Sequence, residues 1–344
     1  MMSRPVAMRV SLVTTLLLSL PLVAGFLGAL HPAFDSFAHF RVHLAALMMP
    51  AALPLFLSRW WAHGIMALVL GGAAIVSALG LPALGVGQVH AGFERKPLAA
   101  RGYRLMQFNL RYDHPDPERV VVLLDELRPD FVLLEEVSDM WAGKLRGLTN
   151  LYPYQLRCGR TSGVGGTAIL SQEPFGIGRM TECAGDGSLA IAQVELDSVA
   201  VDLAALHLGW PWPFGQSRQV TRLTPDLASL GQNAILAGDL NAAPWSRTAR
   251  RVMAAGALTP MESPGPTWLS SGFPAAWRPW IGLPIDHVFA KGDVVLYSGH
   301  TLPEAGSDHL PILIEFGIRA PEQAPGAQIT VLTELSIAAS ARRL

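Results

Sequence analysis

Apolar residues follow two different patterns along this 344-residue chain. In the first hundred residues they run almost unbroken, and the stretches 10–30, 42–57 and 64–89 are nearly free of charge. A helix needs about 20 mostly apolar residues to cross the hydrocarbon core of a bilayer. The first and third stretches therefore predict membrane-spanning helices. The second is shorter and contains Pro50 and Pro54, which makes it the weakest of the three. Arg4 and Arg9 ahead of the first stretch would also suit a cleaved signal peptide. The two further apolar stretches that follow at once favour an anchor.

Beyond residue 98 the apolar runs become short and each meets a polar residue. Arg104 to Phe108 ends on Asn109, and Asp130 to Leu134 ends on Glu135 and Glu136. Val199 to Leu206 ends on His207. Ala234 to Ala237 leads into Gly238-Asp239-Leu240-Asn241, Leu283 to Ile285 into Asp286, and Ser307-Asp308-His309 precedes Ile312 to Ile314. Helical spacing appears at Asp116–Leu127, through Val120, Leu123, Leu124 and Leu127, with Asp116 and Glu118 at its start. Gln216–Leu230 and Arg247–Ala255 read as further helices. The helix at Asp116–Leu127 joins the Asn109 strand to the Glu136 strand in the manner of a right-handed crossover. Interleaved strands and helices of this kind predict two packed sheets with helices outside. The chain thus divides into an all-α membrane region (1–97), an α/β (α+β) catalytic domain (98–319) and a tail (320–344). In the tail a short amphipathic helix is expected over 329–339.

Composition sharpens this. Half the residues are hydrophobic, and that excess lies mainly in the first region. Residues 98–344 hold 20 basic and 25 acidic side chains, a net of −5. Non-specific nucleic-acid binders draw their affinity from a basic surface, so this balance counts mildly against a general nuclease. Arg4, Arg9 and Arg59 favour a cytoplasmic N-terminus and an odd number of crossings, although Arg95, Lys96, Arg101 and Arg104 pull the other way. Cys158 and Cys183 flank the strand-like Thr167–Ser171 as the two ends of a hairpin would. A disulfide there would persist only in an oxidising compartment; the alternative is two unrelated thiols.

Side chains at strand ends are rigidly held yet reach solvent. Carboxylates, amides and an Asp-His pair are the parts needed to hold Mg²⁺, orient a phosphate and activate water. The order Asn109, Glu136, His207, Asp239-x-Asn241, Asp286, Ser307-Asp308-His309, with Gly166-Thr167-Ala168-Ile169-Leu170-Ser171 between them, resembles the endonuclease/exonuclease/phosphatase superfamily over residues 102–318. The resemblance implies a four-layer αββα sandwich and a Mg²⁺ (or Mn²⁺) ion held by Glu136. Asn109 would sit on the metal or phosphate side, and Asp308 at the metal or the water. It implies that Asp239 orients or deprotonates the attacking water and that Asn241 and His207 touch the phosphoryl oxygens. His309 would be the catalytic histidine and Asp286 its orienting carboxylate. Glu135 stands where the family has an amide, and strand alternation would turn it away from the site. His114, His287 and His300 match no motif and read as structural. The loop Trp210-Pro211-Trp212-Pro213-Phe214 would form a pocket wall or simply pack.

The expected function is a membrane-anchored, divalent-metal-dependent phosphoesterase in a bacterial inner membrane, its catalytic domain extracytoplasmic. Its partners would be the lipid bilayer and a lipid, small-molecule or nucleic-acid phosphoester, and no protein partner is predicted. The alternatives are an extracytoplasmic nuclease and a catalytically idle scaffold, which the complete polar set argues against.

Overall fold

A computed structural model describes residues 4–80, 90–97, 101–159, 163–176 and 181–319. The helix expected over 329–339 and the end of the third apolar stretch lie outside these residues. Four helices open the chain: α1 (Arg4–Ala24), α2 (Pro32–Ala38), α3 (Arg41–Ala52) and α4 (Trp61–Leu79). There follow β1 (Tyr103–Asn109), α5 (Glu118–Leu127), β2 (Phe131–Val137), α6 (Asp139–Arg146), β3 (Tyr154–Cys158), β4 (Gly166–Ser171), β5 (Glu182–Ala184), β6 (Leu189–Leu196) and β7 (Val199–Leu206). The remainder is α7 (Gln216–Ala228), β8 (Ala234–Asp239), α8 (Arg247–Gly256), β9 (Thr259–Pro260), α9 (Arg278–Ile281), β10 (Asp286–Lys291), β11 (Val294–Thr301) and β12 (Ile312–Ile318).

The strands form two mixed six-stranded sheets, ordered β11-β12-β1-β2-β4-β3 and β5-β6-β7-β8-β10-β9. Period-2 alternation decides which side chains meet where. Tyr103, Leu105, Phe131 and Leu133 of the first sheet pack against Ala190, Ala192, Leu203 and Ile235 of the second. Their strand neighbours Met106, Phe108, Val132 and Leu134 face outward under Val120 and Leu124 of α5 and Trp141 of α6. On the far side, Val220 and Leu223 of α7 and Val252 of α8 cover Ile191, Ala204 and Leu236. The result is helix, sheet, sheet, helix.

Two central strands, β1 and β8, carry their polar ends to the same rim. β1 lies between β12 and parallel β2, and β8 lies between parallel β7 and antiparallel β10. Gly238, at φ 155°, passes so close to β7 that a Cβ there would stand 1.9 Å from the Leu206 carbonyl oxygen.

Cys158 and Cys183 form a disulfide with Cα atoms 5.4 Å apart. The hairpin expected from the sequence is not what they close. Cys158 lies on edge strand β3 of one sheet and Cys183 on edge strand β5 of the other, so the bond staples the two sheets together. Sequence spacing shows a bracketed strand but not that the chain changes sheets between the cysteines.

α1 and α4, 21 and 19 residues long, are long and apolar enough to cross a membrane. The weak second stretch forms α3 plus a 3₁₀ turn at Leu53–Leu57, and its axis is bent by 66° from that of α2. Counting that broken pair as one span brings the number to three. Small residues let the helices approach: a Cβ on Gly71 of α4 would meet Met49 of α3 at 2.6 Å. Ser11 near the start of α1 bonds the Ala51 carbonyl near the end of α3. At the other end Arg41 donates to Gly25 O (2.9 Å) and Ser77 Oγ (3.2 Å) and covers the Phe26 ring. The three segments are therefore antiparallel, and the end marked by Gly25, Arg41 and Ser77 faces the sandwich. There Asp35 of α2 accepts from the Arg247 and Thr248 backbone N–H groups (2.6 and 2.9 Å), capping α8. Trp245 Nε1 donates to the Ala38 carbonyl at 2.6 Å.

Candidate active site

The strand ends converge on one buried cluster. A β-bulge interrupts the β2–β4 ladder after Leu134, and Glu136 takes a left-handed conformation at φ 56°. A bulge re-aims the side chains that follow it. Simple alternation thus fails here: Glu136 turns to the rim, while Glu135 stays fully buried between the sheets. Glu136 is held at both oxygens, by Tyr112 N–H (2.9 Å) and Asn109 Nδ2 (3.3 Å). Asn109 also donates to Asp239 Oδ2 at 3.0 Å, and its own Oδ1 accepts from Arg111 N–H. It bridges a carboxylate of each sheet.

On β8, Asp239 Oδ1 accepts the Asn241 backbone N–H at 2.7 Å. Asn241 sits at φ 45°, an uncommon conformation for a residue with a side chain. Its Nδ2 donates to Leu208 O (2.8 Å) and Asp239 Oδ2 (3.3 Å), so the amide locks the carboxylate in place. His207, on the adjacent strand end, points Nε2 at Glu136 Oε1 (3.9 Å) and Asp239 Oδ2 (3.8 Å).

His309 arrives from the loop before β12. Its Nδ1–H donates to Asp286 Oδ2 at 2.9 Å, which leaves Nε2 facing Asp239 Oδ2 at 3.6 Å. That gap is too wide for a direct hydrogen bond and suits an oxygen shared between the two groups. Ser307 fixes the loop: its hydroxyl donates to Asn109 O (2.8 Å) and accepts from His309 N–H (3.1 Å). The carboxylate of Asp308 accepts the Trp268 indole N–H at 3.0 Å.

Burial disfavours the imidazolium of His309, but Asp286 and Asp239 outweigh it and raise its pKa to about 10. Burial pushes Asp239 up to about 8 despite His309. Asp286 is also buried, yet His309, Thr267 and Gln107 hold it below the usual carboxylate range. Burial raises Glu136 as well, against the Tyr112 N–H bond.

These facts test the fit of a metal. Asp239, Asp286 and His309 lie near enough together to hold an ion. Asp286, however, has both oxygens engaged, by His309 and by Gln107 Nε2 (3.0 Å). The side that calls for a cation is instead the half-buried Glu136 and the fully buried Asp239, two carboxylates that share the Asn109 amide donor. Carboxylate oxygens backed by an amide suit a hard divalent ion, so the residues fit Mg²⁺ or Mn²⁺.

Sequence reasoning missed Gln107. Its Nε2 links Asp286 Oδ1 to Glu135 Oε2 (2.8 Å), forming the floor beneath His309. Burial raises Glu135 well above the ordinary carboxylate value. The available signal was Gln107's position two residues before Asn109, on the same face of β1.

Comparison with known proteins places this geometry. A sequence model described as the Endonuclease/Exonuclease/phosphatase family matches residues 106–309. No curated protein matches the chain. Among solved structures, an endonuclease/exonuclease/phosphatase from Beutenbergia cavernae DSM 12333 is 21% identical with a TM-score of 0.51, covering 64% of this chain and 72% of that one. One from Bacteroides vulgatus is 17% identical with a TM-score of 0.52, covering 64% and 100%. At these identities the likeness is one of fold.

Proposed function

We propose that this chain, which belongs to the Endonuclease/Exonuclease/phosphatase family, is a membrane-anchored phosphoesterase that uses a divalent metal to direct in-line attack of water on phosphorus. The observation that carries the reading is the facing pair Asp239 and His309 beside the carboxylate of Glu136. Glu136 would hold the ion, with Asp239 and the Asn109 amide beside it. The ion, when bound, supplies charge neutralisation for the phosphoryl group. Asp239 and His309 Nε2 orient the attacking water, and the imidazole, propped by Asp286, takes up its proton. His207 and Asn241 line the position of the phosphoryl oxygens. Asp286 never reacts; it keeps the imidazole in the tautomer that presents Nε2.

Anchoring is supported by α1 and α4. The antiparallel bundle sets Arg4, Arg9 and Arg59 at the end away from the sandwich. The positive-inside rule then favours an extracytoplasmic sandwich, and the disulfide agrees with an oxidising compartment.

The test uses the purified full chain and bis(4-nitrophenyl) phosphate. Hydrolysis is expected with Mg²⁺ or Mn²⁺, and none with excess EDTA. Unchanged turnover in chelator would refute the metal-dependent mechanism.

A further inference from the structure

We propose that the substrate is an amphiphilic phosphate ester drawn from the bilayer surface: its phosphate reaches Asp239 and Asn241 while its apolar tail leaves toward the helix bundle. The inference rests on the phosphoesterase reading above and adds the substrate class.

The observation is a cleft of about 210 Å³ that joins the site to the membrane region. Its inner end is Asn241. Its walls are Trp210, Trp212 and Phe214 from the loop after His207, and its outer end is His39 and Phe40, where α3 begins. The loop also touches the segment after α1, through the edge-on contact of Trp212 with His31 at 6.4 Å. The walls are apolar and open: Phe214 is 76% exposed and Phe40 47%. Exposed aromatic surface of this kind marks an interaction site.

Position says which kind. The end of α1, the start of α3 and the end of α4 meet at this face of the sandwich, so in a spanning bundle the cleft opens at the level of the bilayer surface. Trp280 is exposed at the edge of a second cavity between bundle and sandwich. Tryptophans at this level match the aromatic belt of membrane–water interfaces.

His39 of the cleft lining carries an unpartnered polar atom. His39 is 95% buried (5% exposed), and its Nε2 has no hydrogen-bond partner among the described residues. It can serve an ester or headgroup oxygen next to the phosphate. The net −5 of residues 98–344 disfavours a polyanion but is compatible with a single phosphate that the bound ion neutralises.

The experiment compares two phosphodiesters with the same leaving group, ethyl 4-nitrophenyl phosphate and hexadecyl 4-nitrophenyl phosphate. The full chain is held in phosphatidylcholine nanodiscs with Mg²⁺. Burying even two methylenes of a tail is worth about tenfold, so kcat/KM for the hexadecyl ester is expected to exceed that for the ethyl ester by about tenfold or more. Phe40→Ser and Phe214→Ser replace exposed side chains, so the fold is retained, and each is expected to bring the ratio down several-fold. Partitioning of the tail into the disc raises the ratio equally in all three proteins. Equal ratios would therefore overturn the proposal while leaving the phosphoesterase reading intact. A single-stranded oligothymidylate hydrolysed with higher kcat/KM than the hexadecyl ester would overturn it in favour of nucleic acid. No hydrolysis of either ester would take down the phosphoesterase reading and this proposal together.

Discussion

Asp239 and His309 come from different sheets, and their opposed side chains are where the chemistry is expected to concentrate. If both act in the chemical step, Asp239→Asn and His309→Ala should each lower kcat by about two to four powers of ten. Asp286→Asn should lower it less, since it orients. The double variants should fall far short of additivity, because the groups act as a unit; a His309→Ala enzyme turning over near the wild-type rate would contradict the assignment. His114 supports a separate prediction about stability. Its Nε2–H donates to the Ala305 carbonyl and its Nδ1 accepts the Asp116 N–H, both at 3.0 Å, so both nitrogens are committed in the neutral form. Burial lowers its pKa below the ordinary 6.5, and burial does the same for His287. On acidification the unfolded chain takes up these protons first. The stabilisation is complete above pH 6.5 and is lost as pH falls from there toward the folded values. From pH 7 to pH 5 the melting temperature of the wild type should therefore fall relative to that of His114→Asn, the difference reporting the contribution of this one imidazole. Most of this cluster was legible because each residue closes an apolar run. Alternation separates Glu135 from Glu136 and the resemblance picks Glu136 for the site, but the bulge that turns Glu136 to the rim leaves no mark in the sequence.

The strands and helices of the sandwich are the most legible elements, since period 2 and period 3.6 differ clearly over β1, β2, β7, α5, α7 and α8. Pairings between distant segments are less so. Cys158 and Cys183 show this: spacing suggested a hairpin, and the bond instead joins the outer strands of two sheets. Closing a loop of 25 residues' separation is worth roughly 3 to 4 kcal/mol by chain entropy. Reduction, or Cys183→Ala, should therefore lower the melting temperature by several degrees while leaving the site's own hydrogen bonds in place. An unchanged melting curve would show that the sheets hold without the bond. Asp35 was visible only as an isolated charge in an apolar region. In the structure its carboxylate accepts three hydrogen bonds from Arg247 and Thr248 at the start of α8. Losing an N-terminal cap of this type costs about 1 kcal/mol. Asp35→Ala should therefore increase proteolysis between bundle and sandwich, and wild-type resistance would place their coupling elsewhere.

At the scale of the whole molecule, the sequence separated an apolar helical region from a sandwich but did not show that the two dock. That contact depends on Asp35, Ala38 and Trp245, which no periodic pattern distinguishes. The docked arrangement puts Arg4, Arg9 and Arg59 of the bundle and the sandwich at opposite ends of α1 and α4, so a bundle that spans a membrane would place them on opposite sides. A phosphatase reporter fused after Leu344 should be active, and labelling of Cys158 and Cys183 should require reductant; a silent fusion would mean an even number of crossings. The central claim is narrower than topology: the carboxylates of Glu136 and Asp239 hold a divalent ion that hydrolysis needs. It is tested most directly by metal titration of the chelator-stripped full chain, wild type beside Glu136→Gln, followed by isothermal calorimetry with Mn²⁺ and by bis(4-nitrophenyl) phosphate turnover. The account predicts a saturable Mn²⁺ isotherm in the wild type whose midpoint matches recovery of turnover, and loss of both in a folded Glu136→Gln. Full turnover without metal, or an unaltered isotherm and rate in Glu136→Gln, would contradict it.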